Sequence, residues 1–431
     1  MKSPSSDDSK PSDAPASGSE QAGTSGQDFS TVLSKQVSSR TALLVVTAAI
    51  AASAAIALFR IQPAPPKRSL DPQRAWVEAA DTVKTLLARG EKQKAFKVAV
   101  QALEYAEAAY GPDHLATAES LTQVAKLLVE QANYDRVEAM YRQVLATVAR
   151  CEGEDSVPFA NALTNLAQFY EKVGRFSDAE KLYEQALAIY SRSAPGGESD
   201  AVAMAVNNLA CLRELVGDQD EAKDLHDRAL AMRLKLLGPA NASLAESYSN
   251  LAANARACGK IPEAIAHQRR AVVIREATSG PQHPSTAAAR AGLAKLLTRH
   301  KQFDEAELLA LGALAALAVA SGPQSPTLAT GYEALAAVRE HGGDGAAART
   351  LLEQALVMRT AANGPDHPRT ADAQELLAEF LSRQTGGSAK ASRSEAASLL
   401  DAAAKTRAAV YGEDHPRTVA TRKALSATAS E

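Results

Sequence analysis

The sequence predicts an all-α protein: a solenoid of about eight helical hairpins, finished by a carboxyl-terminal capping helix. Three observations carry this. Ala125, Ala167, Ala210, Ala252, Ala294, Ala336 and Ala378 recur every 42 or 43 residues, each after a Leu or Val. Gly111, Gly153, Gly196, Gly238, Gly280, Gly322 and Gly364 mark the same lattice, and Gly412 follows after 48. Hydrophobic residues make up 46% of the chain but aromatic residues only 4%, so the apolar mass is mostly Ala, Leu and Val, a composition that suits helices better than sheets. A fixed period of this length is the mark of a stacked-repeat architecture, which replaces the three or so separate domains that 431 residues would otherwise suggest.

Charge and cysteine usage narrow the function classes. With 47 Lys and Arg against 50 Asp and Glu, the net charge of −3 argues against nucleic acid, whose binding depends on neutralising phosphates. Cys151, Cys211 and Cys258 lie 60 and 47 residues apart. That spacing matches no zinc or redox motif and suits a reducing compartment better than a disulfide scaffold.

Residues 1–40 hold twelve serines, three prolines and one aromatic residue, Phe29, too little apolar surface to offset the entropy of ordering, so this tail is expected to be disordered. Residues 41–59 run nineteen positions without a charge, about 28 Å as a helix, enough to cross a bilayer. A cleaved leader is disfavoured by the forty polar residues ahead of it. Arg60, Lys67, Arg68 and Arg74 follow the segment, against Lys35 and Arg40 before it, so the positive-inside rule places the carboxyl-terminal part on the cytoplasmic, or mitochondrial matrix, side of a single-pass protein. Residues 60–74 read as a proline-rich basic linker, and 75–431 as the solenoid.

The eight hairpins are expected at about 76–111, 117–153, 159–196, 202–238, 244–280, 286–322, 328–364 and 370–412, with a cap over 416–428. Within one unit Ala252, Ala264 and Ala271 flank Gly259 at a turn, and small residues there let two antiparallel helices approach closely. Leu at Ala264 would overpack that contact at about 1–3 kcal/mol. The second unit has Val137 and Val144 instead and should be slightly splayed. Six extra residues near 384–394 fall in the turn of the eighth hairpin, where a mobile loop is expected.

These Leu-Ala, Gly, Ala and Ala positions resemble the tetratricopeptide repeat, and the period together with the loops Gly364-Pro365-Asp366-His367-Pro368 and Tyr411-Gly412-Glu413-Asp414-His415-Pro416 resembles its kinesin light chain type. The likeness covers about 357 of the 431 residues. It implies a right-handed superhelix with the first helix of each hairpin on the concave wall, and a protein or peptide partner held there. The groove positions it implies are Asn161, Thr164, Asn165 and Gln168, then Asn207 and Asn208, then Ser249, Asn250 and Arg256. Asn165, Asn208 and Asn250 share one lattice position, and an amide can both donate to and accept from an extended backbone. The alternative is that these amides bond helix to helix as part of the repeat consensus. A lysine and arginine clamp for a terminal carboxylate is not expected, because its positions hold Thr122, Thr164, Asn207 and Ser249.

Several features imitate chemistry. His114, His283, His367 and His415 alternate on the lattice with Ser156, Ser199, Asn241 and Ser325, which are helix N-cap residues, so the histidines are expected to cap helices rather than bind metal. Gly342-Gly343-Asp344-Gly345 lacks the ending of a phosphate loop and coincides with a hairpin turn. Cys211 lacks a basic neighbour that would activate it. Glu333, Glu340, Asp372, Glu375 and Glu379 suggest an acidic stretch of groove, and Arg233, Arg275, Arg359 and Arg407 a row of salt bridges between hairpins. With no convergent polar constellation, the expected protein is not an enzyme and carries no cofactor, metal or small-molecule substrate. It is a membrane-anchored interaction scaffold, or alternatively a structural or assembly subunit of a membrane complex such as a mitochondrial inner-membrane one. Kinesin light chains carry a heptad region ahead of their repeats, and this sequence has none there, which argues against motor association.

Overall fold

Helix N-caps and left-handed glycines divide the chain into seventeen α-helices among the described residues. The computed structural model describes residues 71–89, 91–321, 325, 327–384 and 389–430. The expected tail 1–40, the apolar segment 41–59 and residues 60–70 of the linker lie outside them. The helices pair as α1 (Pro72–Ala88) with α2 (Lys92–Tyr110), α3 (Leu115–Glu130) with α4 (Val137–Glu152), α5 (Val157–Lys172) with α6 (Phe176–Ser193), and α7 (Asp200–Val216) with α8 (Gln219–Leu237). The series continues with α9 (Ser243–Ala257) and α10 (Ile261–Ser279), α11 (Pro284–Arg299) and α12 (Phe303–Ser321), α13 (Leu328–His341) and α14 (Gly345–Asn363), and α15 (Pro368–Ser382) and α16 (Ala389–Tyr411). A last helix, α17 (Pro416–Ser430), packs on α16. Each helix also packs on the one that follows it, which is the solenoid expected.

Two boundaries differ from the expectation. The first helix begins at Pro72, inside the stretch assigned to the linker, because proline suits the first turn, where its missing N–H costs nothing. The six extra residues of the eighth unit go largely into α16, which has 23 residues where most second helices have 19.

The loops between hairpins are built alike. His114, His283, His367 and His415 accept from the backbone N–H two residues on through Nδ1, at 3.0–3.2 Å, while Ser156, Ser199 and Asn241 do the same work with oxygen. Three residues after each histidine, the hydroxyl of Thr117, Thr286, Thr370 or Thr418 donates back to the carbonyl of the helix-ending glycine, at 2.7–2.9 Å. This satisfies a carbonyl left open by the helix end. The expected capping role of the histidines is what the geometry shows.

Inside the hairpins, Ala179, Ala186, Ala222, Ala229, Ala264 and Ala271 are wholly buried. The helices α3 and α4, with buried Val137 and Val144, meet over a shorter stretch than those of any other hairpin. Arg233 and Arg407 occupy one lattice position and act alike. Each is nearly buried, pairs with an acid on the first helix of its own hairpin (Asp200 at 3.0 Å, Asp372 at 2.6 Å), and donates to a hydroxyl, Ser247 or Thr421, on the next hairpin or cap. Arg359 pairs with Glu333 at 3.1 Å within its own hairpin.

The superhelix also meets itself. The turns of the second and third hairpins touch the loops that start α15 and α17. His367 Nε2 lies 2.9 Å from the carbonyl oxygen of Glu130, and Arg369 reaches the Glu130 carboxylate at 3.2 Å. Tyr134 stacks on Tyr411 with ring centres 6.4 Å apart, and Phe176 lies 6.4 Å from His415. This seam joins residues more than two hundred positions apart.

Candidate ligand-binding groove

The first helices of the hairpins form the concave wall, and two recesses open in it. The larger, about 710 Å³, lies across α9, α11, α13 and α15. Its floor is small and apolar, with Ala252, Ala253, Gly292, Ala336, Ala337 and Leu376, and its rim is charged, with Arg256, Arg299, Glu340 and Arg383 among the residues. The floor is open at one point for a local reason. Gly292 stands where other units carry Asn, and a Cβ there would come within 3.2 Å of the Gln268 amide, which is held by its bond to the Ala289 carbonyl at 2.9 Å.

The expected acidic stretch is corrected by the ion pairs. Glu333, 8% exposed, is held by Lys295 at 2.8 Å and Arg359 at 3.1 Å. Burial works to raise its carboxyl pKa, but these two cations outweigh it and hold the group below its ordinary value. Glu340 pairs with Arg383 at 2.9 Å, and Asp372 and Glu375 pair with Arg407. Glu379 differs: burial lifts its pKa, opposed by Arg383, whose guanidinium stands off at 3.9 Å. Basic residues from the neighbouring units and from the partner second helices cancel the charge that the acids alone suggest.

The sequence-derived groove residues separate into three groups. Ser249 and Arg256 line the larger recess, although the Ser249 hydroxyl already donates to the Ala245 carbonyl at 2.8 Å. Asn165 and Gln168 line a second recess, about 410 Å³, at the seam. The others meet the protein itself. Asn161 accepts from the Tyr190 hydroxyl at 2.6 Å, and buried Thr164 donates to the Ala160 carbonyl at 2.9 Å. Asn207 is buried and accepts from Asn250 at 2.9 Å, with His226 Nδ1 also 2.9 Å away. The Asn208 amide nitrogen is enclosed with no hydrogen-bond partner in the structure. The asparagine row thus combines a helix-to-helix bond at Asn250, an amide on the cavity wall at Asn165, and an unspent donor at Asn208.

Sequence reasoning missed Lys295, Arg299 and Arg383, which line the larger recess, and it missed the seam recess entirely. Cys211 is half-buried, and burial followed by nearby carboxylates pushes its thiol up to about 12, which makes it inert at neutral pH. Among the described residues, no group of three or more His, Cys, Asp or Glu could hold a metal ion, and no helix is long and apolar enough to cross a membrane.

The tetratricopeptide repeat family model matches residues 84–149, 158–235, 243–318 and 327–394. No curated protein matches the chain. Similar solved structures include a Podosopora anserina protein of kinesin light chain description with nearly identical TPR-like repeats, 26% identical, covering 47% of this chain and 95% of that one with a TM-score of 0.41. BtubC (BKLC) from P. vanneervenii is 21% identical, over 69% of this chain and 94% of that one, with a TM-score of 0.37. A Rap protein complexed with competence and sporulation factor is 13% identical, over 82% and 99%, with a TM-score of 0.48.

Proposed function

We propose, since the chain belongs to the tetratricopeptide repeat family, that it is an interaction scaffold holding an extended segment of a partner protein in the concave groove, across α9, α11, α13 and α15. The observation that carries this reading is the larger recess itself, an apolar floor of small residues rimmed by charges that are mostly paired. Such a surface accepts side chains of a bound segment through shape and apolar contact. The family is one of scaffolds that bind protein and peptide partners, and nothing in the groove assembles a nucleophile with a base. We read the 42-residue period as the kinesin light chain type, and residues 41–59 as a membrane anchor that holds the repeats on the cytoplasmic or matrix side.

The test is crosslinking and pull-down from solubilised membranes with the full chain, comparing the native protein with Ala337→Trp, which fills the recess, and with Ser249→Ala/Arg256→Ala on its wall. Both variants are first checked for an unchanged melting profile. Loss of the crosslinked partner by about ten-fold, the size expected when a central contact worth about 1.4 kcal/mol is removed, supports the groove. Retention by both variants moves the binding surface to the convex or lateral face, as an assembly subunit would have it. Protease protection on the same membranes reports the side on which the repeats lie.

A further inference from the structure

The recess at the seam carries an excess of positive charge that the protein does not itself neutralise. Lys126 and Lys172 line it from α3 and α5, and Arg369 and Arg417 from the starts of α15 and α17. The four cations face two acids, and both acids are shared: Glu130 pairs with Arg369 in the recess and with Lys92 outside it, and Asp372 pairs with Arg407 at 2.6 Å. Arg417 comes only to 4.0 Å from Asp372, and neither lysine has an acid within ion-pair distance among the described residues. Both lysines are exposed to solvent on the wall of the recess. Burial lowers the Lys126 pKa, and burial followed by the like charges of Arg417 and Arg369 lowers that of Lys172, against the smaller opposing pull of Glu130 and Asp372. The histidines of the seam respond in the same sense: after burial, Arg417, Arg407 and Lys172 depress His415.

Like charges gathered at a contact between distant parts of the chain oppose that contact. Two helix N-termini, those of α15 and α17, add their positive ends at the same place. We propose that the seam recess binds a small anion bearing phosphate groups, and that this anion joins the two sides of the seam and holds the superhelix closed. Guanidinium forks and ammonium groups are the donor set that suits a phosphate oxyanion; the helix starts, whose first N–H groups already bond His367 and His415, add their field rather than donors, and the Asn165 and Gln168 amides on the wall can bind its remaining oxygens or carrier. The volume, about 410 Å³, is that of a small-molecule pocket. This site is separate from the larger recess and stands or falls independently of peptide binding there.

The probe is inorganic pyrophosphate, titrated into the full chain by calorimetry, with melting curves and backbone hydrogen exchange on the same samples. Sodium chloride at matched ionic strength serves as the control. Pyrophosphate is expected to raise the melting temperature where chloride does not, and to slow exchange at residues 367–372 and 415–420. Lys126→Gln/Lys172→Gln should weaken binding by about ten-fold or more, as expected for losing charge-assisted contacts. Without pyrophosphate, the same variant should melt no lower than the native chain, since it relieves repulsion. Lys84→Gln/Lys405→Gln, equal in charge but at exposed positions outside the lining of the recess, should bind like the native chain. An equal gain with chloride, or undiminished binding by the Lys126 and Lys172 variant, overturns the proposal. So does binding of a hexaglutamate peptide with no binding of pyrophosphate, which would make the site one for an acidic segment.

Discussion

At the scale of single residues, the hairpin turns show which positions are set by backbone conformation. Gly174, Gly217, Gly259 and Gly343 fill the turn with φ between +74° and +95°, and two units place other residues there, Ala132 at +56° and Lys301 at +62°. A side chain in the left-handed region costs about 1–2 kcal/mol because its Cβ crowds the carbonyl. Lys301 is exposed and has no ion pair in the structure that would offset this. Lys301→Gly should therefore stabilise the chain by about 0.5–1 kcal/mol after the added freedom of the unfolded glycine is subtracted. Urea denaturation decides it, and a loss of stability would mean that the lysine stem packs more than its exposure indicates.

At the scale of helices and hairpins, close approach depends on alanine. Ala264 is wholly buried between α9 and α10, and Ala264→Leu should lower stability by about 1–3 kcal/mol, read as a shift in the denaturation midpoint at unchanged slope. An unchanged midpoint would show a gap there that the packing does not contain. This level of structure was legible in the sequence because each hairpin is specified by residues within 42 positions of one another: the alanines, the helix-ending glycines and the capping His, Ser and Asn. The buried Thr117, Thr286, Thr370 and Thr418 repeat as faithfully, and their spacing from the histidines could have been read the same way. The length of α16 could not, since the extra residues carry Lys390 and Ser392 as readily in a helix as in a loop. The groove was legible only in part. Lattice position says that Asn207 and Asn250 face the wall, but which of two adjacent amides bonds the other depends on the rotation of one hairpin against the next. That junction is also where the apolar core thins to a small cluster around Leu244, Ala245 and Ile274, and polar bonds such as Asn254 to the Gln219 carbonyl at 3.0 Å take over.

At the scale of the whole molecule, the superhelical pitch accumulates from small rotations at every junction, so no local pattern announces that the second and third hairpins will meet the eighth and the cap. The histidines illustrate this. Read along the lattice, His367 and His415 are caps a repeat apart, but in space both also contact the far side of the seam. Gly174 provides a direct test of that contact. Its φ of +80° resembles the +74° of Gly259 in the equivalent turn, but a Cβ at Gly174 would lie 2.6 Å from His415 Cδ2, whereas one at Gly259 would meet nothing within 4 Å. The His415 ring cannot simply swing away, because its Nδ1 caps α17 through the Arg417 N–H at 3.2 Å. Both Gly174→Ala and Gly259→Ala carry the left-handed penalty of about 1–2 kcal/mol, so their difference isolates the seam. Gly174→Ala should be the less stable by about a further 1 kcal/mol, the size of a lost cap or an overpacked contact, with faster hydrogen exchange at residues 415–420 in this variant alone. If the two variants melt together and exchange alike, the superhelix in solution is open at the seam, and the contacts of His367, His415 and Tyr411 with the second and third hairpins do not contribute to its stability.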